Sequence, residues 1–348
     1  MKSAEPVLSA YKKRIGSFAL VKSVFNPVHP WLKNIIMKHP TVTRRQFIQT
    51  TGIATAALAT SSQNILATDE KPGLIIDCHA HLYGEDETKY PTRENPNRPP
   101  NGLGNLAHLK REMKANGVSH VTVVQPSSYY YWDNRFTADT SSDNSDSVVG
   151  IVTLDPDNPY SPEMLEYYVS QYNVRGMRSV PAKSGKLDDP GVENLWATAE
   201  RLGIVINVLT KHDKHEEIKV LARRHPKLSI VLDHCLGLKL GETFDITLKA
   251  ILDLAKLPNL HAKLTLIPLG TKEPYPCRDM HETCKTLIDA FTPQRCVWGS
   301  HFPTALFQPK VTYAQHLRIF THELGLDEGS KRAILGETAY GLWFEPRK

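Results

Sequence analysis

The run Leu74-Ile75-Ile76-Asp77-Cys78-His79-Ala80-His81 sets a carboxylate and two imidazoles at alternate positions at the end of an apolar stretch. Successive side chains of a β-strand point to opposite faces. Asp77, His79 and His81 are therefore expected on one face at the strand's C-terminal end. Cys78 should point away from them as a small apolar core residue. Imidazoles and a carboxylate on one rigid edge can ligate a divalent ion or move protons. A lone histidine there would be read as a buried hydrogen-bonding group, but an acid with two histidines points to chemistry.

Groups at a strand end need a scaffold that brings other strand ends to the same place. Further apolar runs follow at Val118–Gln125, Val148–Leu154, Val174–Val180, Ile204–Leu209, Leu228–Leu232, Asn259–Leu266 and Arg295–Trp298. Segments of helical spacing separate most of them. The polar stretch Asp133–Ser147 is expected to be a loop instead. Continuous apolar strands indicate a parallel sheet buried on both faces. Eight alternations over about 280 residues point to a single-domain α/β fold, a (β/α)8 TIM barrel. An open doubly wound sheet would want a glycine-rich phosphate loop after its first strand, where this chain has an acid and histidines.

Barrel active sites sit at the C-terminal ends of the strands. Here those ends carry Asp77, His79 and His81, then Gln125, Arg178, Asn207, Asp233-His234, Lys263 and Ser300-His301. Strand alternation should let only one of Asp233 and His234 face the pocket. Arg178 suits bidentate binding of a carboxylate. A structural ion pair is the alternative for Arg178 and Lys263. The aromatic run from Tyr129 to Trp132 is expected to stack on a substrate ring over the barrel mouth.

The first 67 residues read differently. Arg44-Arg45 precedes a weakly apolar stretch, Thr50–Thr60, as in a twin-arginine export signal, with cleavage expected after Ala67. Met37 is an alternative start. The apolar stretch is too short for a membrane span. The chain carries 42 basic and 37 acidic residues; residues 1–67 hold 9 basic and 1 acidic, leaving 33 against 36 for residues 68–348. The basic balance thus belongs to the leader and gives no reason to expect a nucleic-acid partner. The five cysteines are odd in number and scattered, so no disulfide framework is expected. The expectation is an exported barrel, periplasmic or extracellular, acting on a small molecule. No membrane span is expected in residues 68–348, and homo-oligomerisation is left open.

Five segments, in order, resemble the amidohydrolase-related family of TIM-barrel metal-dependent hydrolases, nearest its sugar and dicarboxylate lactonase branch. They are Ile76–Leu82 (IDCHAHL), Val123–Ser127 (VVQPS), Val174–Arg178 (VRGMR), Val231–Gly237 (VLDHCLG) and Cys296–Pro303 (CVWGSHFP). The resemblance implies hydrolysis of a lactone or related cyclic ester by activated water. His79 and His81 would hold one divalent ion, zinc or manganese, or act on the substrate carbonyl without metal. Asp77 would be a third ligand or their support. His301 would be base or ligand and His234 would orient substrate or water. Gln125, Tyr129, Arg178 and Lys263 would bind substrate. Two departures stand out: strand five has no histidine, and the family's final Gly-Ser-Asp reads Gly299-Ser300-His301. Other readings within the resemblance are a metal-dependent amide hydrolase, an aromatic-acid decarboxylase, or a binding barrel that has lost its catalytic acid.

Overall fold

A computed structural model describes residues 73–346; the expected leader lies outside them. Eight parallel strands pair in chain order: β1 (Ile76–Ala80), β2 (His120–Val124), β3 (Val148–Thr153), β4 (Val174–Ser179), β5 (Val205–Val208), β6 (Ile230–Leu232), β7 (Leu260–Lys263) and β8 (Cys296–Val297). They form a nearly closed barrel. Two backbone hydrogen bonds stitch the β8–β1 seam, from Cys78 N–H to the Trp298 carbonyl (3.0 Å) and from His81 N–H to the Phe302 carbonyl (2.8 Å).

Helices follow the strands where sequence supplies caps. Asn105 accepts from His108 N–H and opens Leu106–Ala115. Asp189 and Pro190 open Pro190–Leu202, which ends at left-handed Gly203. The stretch expected as a loop from Asp133 is helical over Arg135–Asp143, its Thr137, Ala138 and Ser141 buried. Small side chains let this polar helix pack closely against β3. No helix among the described residues is long and apolar enough to cross a membrane.

The core has two parts. The larger lies between sheet and helices and includes Ala80, Val121, Val123, Met177 and Ile206. The smaller holds Ile76, Cys78, Val124, Ile151, Val231 and Val297, contributed by the opposite faces of the strands and closed by Trp343. This second set fills the barrel interior below the strand C-termini. Arg178, Asn207 and Lys263 occupy inward positions by alternation with Met177, Ile206 and Ala262, which face the helices.

β1 departs from the expected alternation. Its pairing with β2 slips between Asp77 and Ala80, the mark of a β-bulge. Before the bulge, Ile76 and Cys78 point inward and Asp77 points outward. After it, Ala80 packs outward. The bulge thus separates Asp77 from the two histidines it was expected to accompany, and it turns Cys78 into the barrel.

Candidate active site

Four histidines meet at the top of the barrel. His79 Nε2 lies 3.2 Å from His81 Nε2, and Arg178 Nη2 lies 3.0 Å from His79 Nε2. The His234 ring centre is 4.5 Å from that of His79 and 4.3 Å from that of His301. One ring nitrogen each from His79, His81 and His301 lies within 4.8 Å of the others. His79, His81 and His301 are buried, and His234 is partly open to solvent at the rim.

Hydrogen-bond partners fix where the protons are. His81 Nδ1 lies 2.7 Å from the Val124 carbonyl, which can only accept, so Nδ1 carries the proton and a neutral ring leaves Nε2 bare. A guanidinium can only donate, so His79 Nε2 accepts from Arg178 at 3.0 Å; the ring proton is then on Nδ1, which lies 3.8 Å from Asp233 Oδ1 and 3.4 Å from Lys263 Nζ. Two nitrogen lone pairs therefore converge at 3.2 Å. Burial, reinforced by neighbouring positive groups, holds His79, His81 and His301 well below the usual histidine pKa. Burial likewise pushes His234 down to about 3, despite the opposing pull of Asp233. All four are neutral ligands or proton acceptors at neutral pH.

Beneath them lies a buried ion cluster. Asp233 Oδ2 accepts from Arg178 Nε at 2.9 Å, while Oδ1 is 2.8 Å from Lys263 Nζ and accepts from Asn207 Nδ2 at 3.2 Å. Burial alone would raise the Asp233 carboxyl, but Lys263 and then Arg178 outweigh it and hold the group well below the usual carboxylate range. Two cations against one carboxylate leave a surplus positive charge in a dry setting.

Asp233 and His234 both join this cluster, correcting the expectation that only one could. β6 ends at Leu232, and the chain then turns through left-handed conformations at His234 (φ 54°), Cys235 (φ 46°) and Leu236 (φ 56°). Strand alternation no longer applies, so Asp233 points down into the barrel while His234 leans over it. Thr265 Oγ1, 2.6 Å from His234 Nδ1, orients that ring. His301 is also left-handed (φ 55°) and stacks on Phe307 at 4.3 Å with rings 10° from parallel. Its Nδ1 is buried without a hydrogen-bond partner among the described residues.

Asp77 lies outside the histidine group. Its carboxylate accepts from Ser300 N–H (2.8 Å), Ser300 Oγ (2.6 Å), Tyr313 hydroxyl (3.0 Å) and His79 N–H (3.0 Å). Burial raises its pKa against these bonds. Gln125 donates to the carbonyls of Tyr131 and Asp133 and so braces the loop after β2. Tyr129 is buried with Tyr83, Tyr90 and Tyr130, its hydroxyl bonded to Glu87 and Arg98. Neither residue reaches the histidines: Tyr129 and Tyr130 form a small core with Tyr83 and Tyr90 that seats the loop Gly84–Gly104, while Tyr131 is exposed and Trp132 half-buried. Sequence reasoning missed Phe307 and Thr265, which no motif marks.

An amidohydrolase family profile matches residues 76–344. The chain belongs to the amidohydrolase family. This amidohydrolase is 27% identical over 232 residues to 4-sulfomuconolactone hydrolase of Hydrogenophaga intermedia, a match covering 65% of this chain and 74% of that one. It is 28% identical over 206 residues to L-fucono-1,5-lactonase of Burkholderia ambifaria, covering 57% and 69%. An amidohydrolase from Burkholderia multivorans, solved with bound zinc, superposes with a TM-score of 0.64 at 21% identity, covering 78% of this chain and all of that one. That likeness establishes the shared barrel.

Proposed function

We propose that this amidohydrolase opens a lactone bearing a second anionic group, with a divalent ion held by His79, His81 and His301. The carrying observation for the ion is that the unprotonated Nε2 atoms of His79 and His81 meet at 3.2 Å; the surplus positive charge of the buried cluster beneath favours the anionic group. Neutral imidazoles whose lone pairs meet, and whose protonation burial opposes, suit zinc or a similar ion. The buried, unpartnered Nδ1 of His301 adds a donor in search of a partner. Both curated relatives are lactone hydrolases by name, and the neighbouring barrel holds zinc.

When bound, such an ion polarises a carbonyl and acidifies water. The chain's own residues do the rest. Arg178 has N–H groups beyond those spent on Asp233 and His79, and with Lys263 it attracts the substrate's anionic group. His234, neutral and open to the rim, takes a proton from water as its oxygen bonds to the lactone carbon. The same proton passes to the ring oxygen as the ring C–O bond breaks. A depressed pKa makes His234 a weak base toward free water.

The test is metal content and turnover of the purified full chain. About one zinc or manganese per chain is expected, with hydrolysis lost to chelator and recovered on readdition. Carboxylated or sulfonated lactones should be turned over faster than uncharged sugar lactones. Full hydrolysis by metal-free protein would remove the ion from the scheme, and equal rates on charged and neutral lactones would remove the anionic preference. We also infer that residues 1–67 direct twin-arginine export. Replacing Arg44-Arg45 with Lys-Lys in a leader fused to a folded fluorescent reporter should then hold the reporter in the cytoplasm; unchanged export would refute this.

A further inference from the structure

His79 Nε2 is engaged by Arg178 Nη2 at 3.0 Å and faces His81 Nε2 at 3.2 Å. An imidazole nitrogen has one in-plane lone pair. A guanidinium N–H and a metal ion cannot use that lone pair together. Arg178 also donates through Nε to Asp233 at 2.9 Å; the guanidinium is a rigid plane, so Nη2 leaves His79 only as the whole group tilts about that contact. His79 Nδ1 lies 3.8 Å from Asp233 Oδ1, with Lys263 Nζ nearer at 3.4 Å, and an Nδ1–H turned to that carboxylate keeps the Nε2 lone pair available to an ion.

We propose that Arg178 and the metal ion compete for His79 Nε2, so that ion binding releases the Arg178 guanidinium edge to the substrate's anionic group. This rests on the divalent-ion reading above. The exchange makes the two ligands cooperative. An anion that draws Arg178 off His79 removes a competitor of the ion, and the ion frees the donors the anion needs. Linkage requires the two effects to be equal. The consequence is an order built into the site: the anionic substrate binds best where the ion is already in place. Arg178 thus acts as both substrate anchor and gate to the ligand nitrogen.

The experiment is a cobalt(II) titration of the full chain, read by visible d–d absorption, with and without benzoate as the anion. The wild-type chain should bind cobalt more tightly in benzoate, by roughly tenfold or more for a coupling of usual size. Arg178→Lys keeps a charge beside Asp233 but lacks the planar fork that reaches Asp233 and His79 Nε2 through separate nitrogens. It should bind cobalt more tightly than wild type without benzoate and show no benzoate effect; circular dichroism confirms its fold. Unchanged or weaker cobalt binding in Arg178→Lys overturns the competition while leaving the ion site standing. A benzoate effect that survives in Arg178→Lys also overturns it, since the carboxylate would then be ligating cobalt directly. No cobalt binding by either protein overturns the ion reading itself, and this proposal with it.

Discussion

His301 and His234 carry similar imidazoles 4.3 Å apart, yet their surroundings divide the work. His301 is buried, stacked on Phe307, and bears a nitrogen with no partner among the described residues, which suits an ion ligand. His234 is half-buried at the rim and steadied by Thr265, which suits proton transfer. The two roles separate experimentally. His301→Ala should lower metal affinity by at least tenfold and lose hydrolysis as metal leaves. His234→Ala should keep its metal and lose about 10²–10⁴ in kcat, the usual range for removing a general acid–base group. Metal assays beside steady-state kinetics decide it. Metal loss in His234→Ala with near-normal content in His301→Ala would reverse the assignment. Under that assignment, His301 in place of the acid of the related pattern changes the charge of the ligand set, and the proton-transfer task falls to the neighbouring turn.

At the scale of elements, the site depends on how β1 meets the end of β8. The Asp77 carboxylate ties the His79 backbone to Ser300 and Tyr313, so one buried group sets the spacing of the segments bearing His79 and His301. Gly299 lets them come that close: a Cβ there would lie 2.8 Å from His79 Cβ and 3.0 Å from His79 N. Gly299→Ala should cost about 1–3 kcal/mol through overpacking and weaken metal binding by pushing His79 aside. Asp77→Asn should cost a similar amount, about 1–3 kcal/mol, because an amide N–H would face donors that need an acceptor. Urea midpoints and a metal titration measure both; wild-type stability and affinity in Gly299→Ala would show that the seam does not position His79. The apolar runs made the strands and their order legible, and the polar residues at their ends marked the right rim. The bulge was not legible, because an inserted residue changes which face a side chain takes without changing residue types. Nor were the left-handed turns at His234 and His301, since neither is a glycine. Tyr129 misled because an aromatic residue after a strand looks the same whether it covers a ligand or, as Tyr129 and Tyr130 do, packs a loop.

For the whole molecule, burying so many histidines in neutral form links folding to pH. His79, His81, His234, His261, His301 and His316 all have pKa values lowered first by burial. Each binds a proton in the unfolded chain near pH 6.5 but resists it in the folded one. Below pH 6.5 the unfolded state therefore holds more protons, and stability falls as pH falls. The loss accumulates down to the folded-state values, about 4 for His261 and His316 and about 3 for His234. His316 sits behind Ser300 at the edge of the four-histidine cluster, where it also bears on His301. It is fully buried, its Nδ1 lies 3.3 Å from the Ser300 carbonyl, and its Nε2 has no partner among the described residues. His316→Asn can keep an N–H toward Ser300 while removing the titration. Its shift from 6.5 to about 4 corresponds to on the order of 3 kcal/mol between those pH values. Denaturant unfolding of wild type and His316→Asn from pH 7.5 to 4 should show the two curves converging toward acid, the variant losing less. Parallel curves would mean that His316 does not resist protonation in the folded chain, and that the acid sensitivity resides in the four histidines over the barrel and in His261.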